Sequence, residues 1–81
     1  MSNHFTIQRA REYYELGVIA SFHLVRDPMT TGWIVCLEGT SGTSWTIHTA
    51  RGEIRSFASL DSAVKAIEDS GMRVSSLKVS A

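Results

Sequence analysis

Trp33-Ile34-Val35-Cys36-Leu37-Glu38 is the stretch on which the architecture turns. Trp33, Val35 and Leu37 alternate with Ile34 and Cys36, so both faces of an extended segment are apolar, as expected of a strand covered on both sides. The pattern predicts a central strand. Before it, Asp27-Pro28-Met29-Thr30-Thr31-Gly32 reads as a hairpin loop, because proline lacks a donor and sets φ while glycine tolerates the return. The partner is then Val18 to Arg26, with Ala20, Phe22 and Leu24 on one face and Ser21, His23 and Val25 on the other.

On the other side, Gly39-Thr40-Ser41-Gly42-Thr43 is a flexible turn leading into a third strand. Trp45 and Ile47 share one face of it; Ser44, Thr46 and His48 share the other, which looks half wet. Ala50-Arg51-Gly52-Glu53 is a further tight turn before a short Ile54 to Phe57 strand, and successive hairpins make an antiparallel meander.

Helices flank these strands. From His4 to Leu16 the residues Ile7, Ala10, Tyr13 and Tyr14 recur at helical spacing, and Gly17 suits the left-handed stop. Ser59 is a good N-cap and Asp61 sits where the helix dipole favours negative charge. Leu60, Ala63, Val64 and Ile67 then form an apolar stripe that Gly71 closes. Val74 to Val79 is β-branched enough for a short last strand, although Ser75 and Ser76 weaken it. The expected fold is α+β: an N-terminal helix, a four-stranded antiparallel meander, a second helix and a short C-terminal strand.

With 81 residues there is room for one domain, spanning 1–81, and one core. A chain of this size buries only roughly 60% of its unfolded surface, a thin margin that makes a homodimer the default expectation. Hydrophobic residues at 43% and charged residues at 20% are ordinary globular usage and exclude a disordered chain. Eight basic residues balance eight acidic ones, so no overall field draws the chain to nucleic acid or an anionic membrane. The single cysteine, Cys36, excludes an internal disulfide and a cysteine-rich zinc site, which suits a reducing cytoplasm. No apolar run approaches the roughly 20 residues of a membrane span, and Met1 to Thr6 lacks the basic and apolar runs of a signal peptide.

The chemistry-bearing residues are few. His23 and His48 would bind metal or sense pH if they were neighbours on adjacent or next-adjacent strands. Two polar residues on a wet face need no such geometry, and zinc would want a third ligand that no local spacing supplies. Cys36 beside a histidine would suggest an activated nucleophile, yet its place between Val35 and Leu37 reads as a small core residue. No carboxylates pair at an acid and base spacing, and Gly39 to Thr43 lacks the lysine and helix start of a phosphate loop. No enzyme activity and no cofactor are expected. Trp33 and Trp45 suit either a packed face or a stacking platform for unpaired bases, and their aliphatic neighbours favour packing. Arg51 and Arg55, with Arg26, Lys65 and Arg73 as further candidates, would track a phosphate backbone if gathered by the fold, but Glu53, Asp61, Glu68 and Asp69 are interleaved with them.

Gly32-Trp33, Ser44-Trp45-Thr46 to Ala50-Arg51-Gly52, and Arg55 to Val64 together resemble a family of small plasmid-encoded accessory proteins. Their genes lie among partition and stability functions, some with a ParC-type partition-associated label. The resemblance extends to the Phe5 to Tyr14 helix; it implies a plasmid-maintenance context and no catalytic residues. In element order alone the chain is also similar to double-stranded RNA-binding domains and to dimeric single-strand binders of the transcription-coactivator type, without the basic motif of either. The expected role is a dimeric, non-enzymatic accessory that binds DNA or a plasmid-maintenance protein through one sheet face. Were nucleic acid the partner, Arg51 and Arg55 would supply phosphate contacts beside Thr46 and His48. The alternative is a protein-interaction adaptor or inhibitor that binds no nucleic acid, and the balanced charge favours it.

Overall fold

The computed structural model describes residues 4–74 and 77–80. Its first helix, α1 (Ile7–Glu15), starts three residues later than the periodicity suggests, because the Thr6 hydroxyl accepts from the Arg9 N–H and caps it there. Gly17, at φ +80°, ends it in the conformation only glycine adopts without strain. The second helix, α2 (Leu60–Asp69), opens on a reciprocal box in which Ser59 and Ser62 each accept from the other's backbone N–H. Asp61 lies in its first turn.

Between the helices run β1 (Ile19–Arg26), β2 (Trp33–Gly39), β3 (Ser44–Thr46) and β4 (Ser56–Phe57), all joined antiparallel through β2. β2 is central, as its composition predicts, with β1 on one side and both β3 and β4 on the other. β3 pairs with Cys36 to Glu38, while β4 pairs farther along with Trp33 and Ile34. Between them the chain loops out through the expected tight turn, where Thr49 N–H donates to Glu53 O at 2.7 Å. A single His48–Ile54 bridge pinches its base.

A fifth strand, β5 (Leu77–Ser80), lies along the free side of β1 and runs parallel to it, Phe22 opposite Leu77 and Leu24 opposite Val79. A parallel pair requires a long crossover, and α2 provides it. The expected last strand thus begins at 77; Ser75 and Ser76 lie outside the described residues.

Both helices cover one face of the sheet. Ala10 of α1 and Ala63 and Ile67 of α2 share one buried cluster with Phe22, Leu24, Val35, Leu37, Ile47, Phe57 and Met72. Beside that cluster, Phe5 stacks on Trp45 at 5.5 Å between ring centroids, and Tyr13 meets Trp45 edge-on at 5.3 Å, which locks the N-terminal segment and α1 onto β3. Gly39 makes room for this: a Cβ there would stand 2.9 Å from the Trp45 ring.

Two expectations about faces are corrected. Ala20 does not share the inner face with Phe22 and Leu24 but is exposed, because the β1–β2 register slips between Ile19 and Ser21 and the bulge inverts its direction. Nor is β2 covered on both sides. Ile34 and Cys36 are only half-buried, and neither belongs to the buried cluster or to the residues packed against it, since both helices lie on the other face.

Candidate contact face of the sheet

The uncovered face is built by the alternate residues of the central strands. The register sets them in three rows: Ser80 beside Val25 beside Ile34 beside Ser56, Lys78 beside His23 beside Cys36 beside Thr46, and Ser21 beside Glu38 beside Ser44. One end is thus apolar and the other carries hydroxyls and a carboxylate. Partly buried in isolation, Val25, Ile34 and Cys36 retain accessible apolar surface.

In the middle row, His23 and Cys36 are direct cross-strand partners. Side chains so placed have Cβ atoms about 4.5–5.5 Å apart, within reach of a shared ligand. On its other side, Cys36 Sγ lies 3.7 Å from Thr46 Oγ1. The sequence reading weighs Cys36 beside a histidine without saying which; counting back equally from Arg26 and Trp33 across the Asp27 to Gly32 loop sets His23 opposite Cys36. His23 and His48, the pair that the sequence suggests, are on opposite sides of β2 and in different rows, His23 in register with Cys36 and His48 past the end of β3 in a bridge to Ile54. Among the described residues no three histidine, cysteine or acidic side chains converge as a metal centre.

The residues proposed for nucleic-acid contact are divided by the fold. Thr46 is on the open face, facing Cys36. His48, two residues on, turns its Nδ1 to the Thr46 carbonyl at 2.7 Å; a carbonyl only accepts, so Nδ1 carries the hydrogen. The backbone N–H of His48 donates to Phe5 O, tying this segment to the N-terminus. Arg51 is exposed on the looped-out turn. Arg55 points the other way, its guanidinium 4.8 Å from the centre of the buried Phe57 ring. Elsewhere Arg26 lies over Trp33 at 5.1 Å, and Lys65 is exposed on α2, across the sheet from the open face. The two tryptophans are therefore occupied within the molecule, Trp45 by Phe5 and Tyr13 and Trp33 by Arg26.

Two grooves lie away from this face. One, of about 350 Å³, runs between Tyr13, Leu16, Val18 and Trp45; the other, of about 530 Å³, separates α1 from the end of α2 and is lined by Arg11, Glu12, Glu15 and Asp69. Arg11 is engaged there with Glu15 at 3.4 Å. Ser70, also on the lining of the larger groove, donates its hydroxyl to the Ala66 carbonyl at 2.8 Å.

Fold and face together define a small α+β domain with one open side on a mixed five-stranded sheet. No family model, no curated protein and no solved structure matches the chain. Among the described residues, no helix is long and apolar enough to cross a membrane.

Proposed function

We propose that this protein is a non-enzymatic accessory of plasmid maintenance that acts by holding another protein against the open face of its sheet. One observation carries the reading: Val25, Ile34 and Cys36 form an apolar strip on the central strands that neither helix covers. Burying such a strip returns about 25 cal/mol per Å² of apolar area, a driving force that a protein surface supplies and a phosphate backbone does not.

Charge placement supports a protein over DNA. The open-face positions of β1 to β4 carry a carboxylate at Glu38 and no arginine or lysine, the register of β5 adds a single lysine position, Lys78 beside His23, and Arg26 and Arg55 lie over rings on the helix-covered side. The plasmid context rests on the resemblance of Gly32-Trp33, Ser44 to Gly52 and Arg55 to Val64 to plasmid-encoded accessory proteins.

A plasmid-retention assay with two classes of variant tests the reading. Ile34→Asp places a charge in the apolar strip and should raise plasmid loss to the level of the deletion, while Arg51→Glu and Arg55→Glu leave retention unchanged. In parallel, the wild-type chain should give no gel shift with DNA or RNA at low salt, where even a few phosphate contacts would register. A shift abolished by Arg51→Glu, with retention lost in the same variant, would overturn the protein-contact reading in favour of nucleic acid.

A further inference from the structure

The geometry points to a zinc site shared by two copies of this chain, in which His23 and Cys36 of each copy supply two ligands to a single ion at the centre of a face-to-face dimer. The inference rests on the reading of the open face as a protein-contact surface and names its occupant as a second copy.

Zinc takes four ligands in a tetrahedron, commonly two cysteines and two histidines. One chain offers half of that set: His23 and Cys36 face each other across β1 and β2, and among the described residues no third donor completes a cluster. A two-fold axis doubles the pair without any further residue, since each copy presents the same patch.

The distances agree. Sheets packed face to face lie about 10 Å apart, so an ion midway stands about 5 Å from either backbone plane. A Zn–S bond of about 2.3 Å beyond the short cysteine side chain reaches that midplane, and the longer histidine reaches it from the neighbouring strand. Each Cys36 thiol gives its proton to solvent on binding, and the two thiolates balance the charge of the divalent ion, leaving the ion with its four ligands neutral.

The neighbouring rows are complementary under the same symmetry. A two-fold parallel to the strands and passing between β1 and β2 sets β2 of the second copy over β1 of the first. Ile34 of each copy then lies over Val25 of the other, and Glu38 of each over the Ser21 hydroxyl of the other. Apolar meets apolar, a carboxylate meets a donor, and the two Glu38 carboxylates are kept apart.

The test uses the full chain with a phosphine reductant present throughout, so that a Cys36–Cys36 disulfide cannot form. Light scattering with stoichiometric Zn²⁺ and with EDTA is combined with metal analysis of the dialysed protein and the spectrum of the Co²⁺ form. The expected results are a dimer holding one zinc per two chains, a monomer in EDTA, and tetrahedral cobalt bands with thiolate charge transfer. His23→Ala and Cys36→Ala, each with an unchanged circular dichroism spectrum, should abolish metal binding and the metal-dependent dimer together. One zinc per single chain, no bound zinc, or a zinc-dependent dimer that survives His23→Ala would overturn the site. A dimer that persists in EDTA and is broken by Ile34→Asp would overturn the zinc but keep the contact face. A monomer under every condition, with Ile34→Asp also neutral in plasmid retention, would overturn both.

Discussion

Residues on opposite faces of β2 should respond to truncation by very different amounts, and the contrast measures whether the sheet has one covered face or two. Leu37 is fully buried between β1 and β3, in contact with the helix-covered core, and its replacement by alanine removes a buried side chain whose loss costs about 2–5 kcal/mol. A domain of this length holds about 4–12 kcal/mol in total, so a loss near 3 takes a quarter or more of it. At about 4–8 °C per kcal/mol, the melting temperature falls by about 12–24 °C. Ile34, on the same strand but the opposite face, is half-buried and outside the core, so Ile34→Ala forfeits only part of the transfer term, about 1 kcal/mol. Cys36→Ala should change stability by about 0.5 kcal/mol or less. Thermal and urea unfolding followed by circular dichroism, at low micromolar protein in EDTA with the oligomeric state checked by light scattering, gives the comparison. Equal losses at Leu37 and Ile34 would refute the one-sided sheet, because they would require a layer over Ile34 within the single chain.

Three further outcomes follow from the packing. Trp45→Ala removes two ring contacts and opens space above Gly39, and should cost about 3 kcal/mol by the same unfolding assay. Phe5 and Tyr13 signals in side-chain NMR should move with it, and a loss under 1 kcal/mol would show that the aromatic cluster does not hold α1. Ser59→Ala deletes the reciprocal cap of α2 and should cost about 1 kcal/mol, whereas Ser59→Asp, which still accepts from the helix N–H groups, should cost less. At Asp27, the Met29 N–H and then the Thr30 hydroxyl hold the carboxyl below its usual range against the opposing effect of burial. A depressed carboxylate adds stability that is complete above its unfolded value near 3.8 and is lost as the pH falls through the lower folded value. Stability curves from pH 6 down to 2 should therefore show an acid limb below about pH 4 that is reduced in Asp27→Asn; parallel curves for the two proteins would refute the assignment.

Much of the fold is legible residue by residue because the controlling interactions are local. Thr6, Gly17, Ser59 and Gly71 bound the two helices through caps and backbone conformation that need no distant partner. The Asp27 to Gly32 loop and the alternation on either side place β1 against β2, and the same count yields the His23–Cys36 pairing. The candidate site is legible only in part. Thr46 lies on β3 where alternation puts it, while His48 falls past the end of that strand in a single bridge to Ile54; Arg55, two residues from Phe57, shares the covered face with that ring, as alternation along the Ile54 to Phe57 segment requires.

What the chain determined by its sequence alone is the set of elements, their order and the register of the first hairpin, since each depends on residues within a few positions of one another. Tertiary structure alone decided that both helices settle on one face, that β4 reaches past β3 to pair with β2, that β5 joins parallel to β1, and that a bulge turns Ala20 outward. Those outcomes depend on which apolar surfaces meet across the whole chain. An apolar residue on a strand states that it favours burial, not whether its cover comes from its own chain or from another.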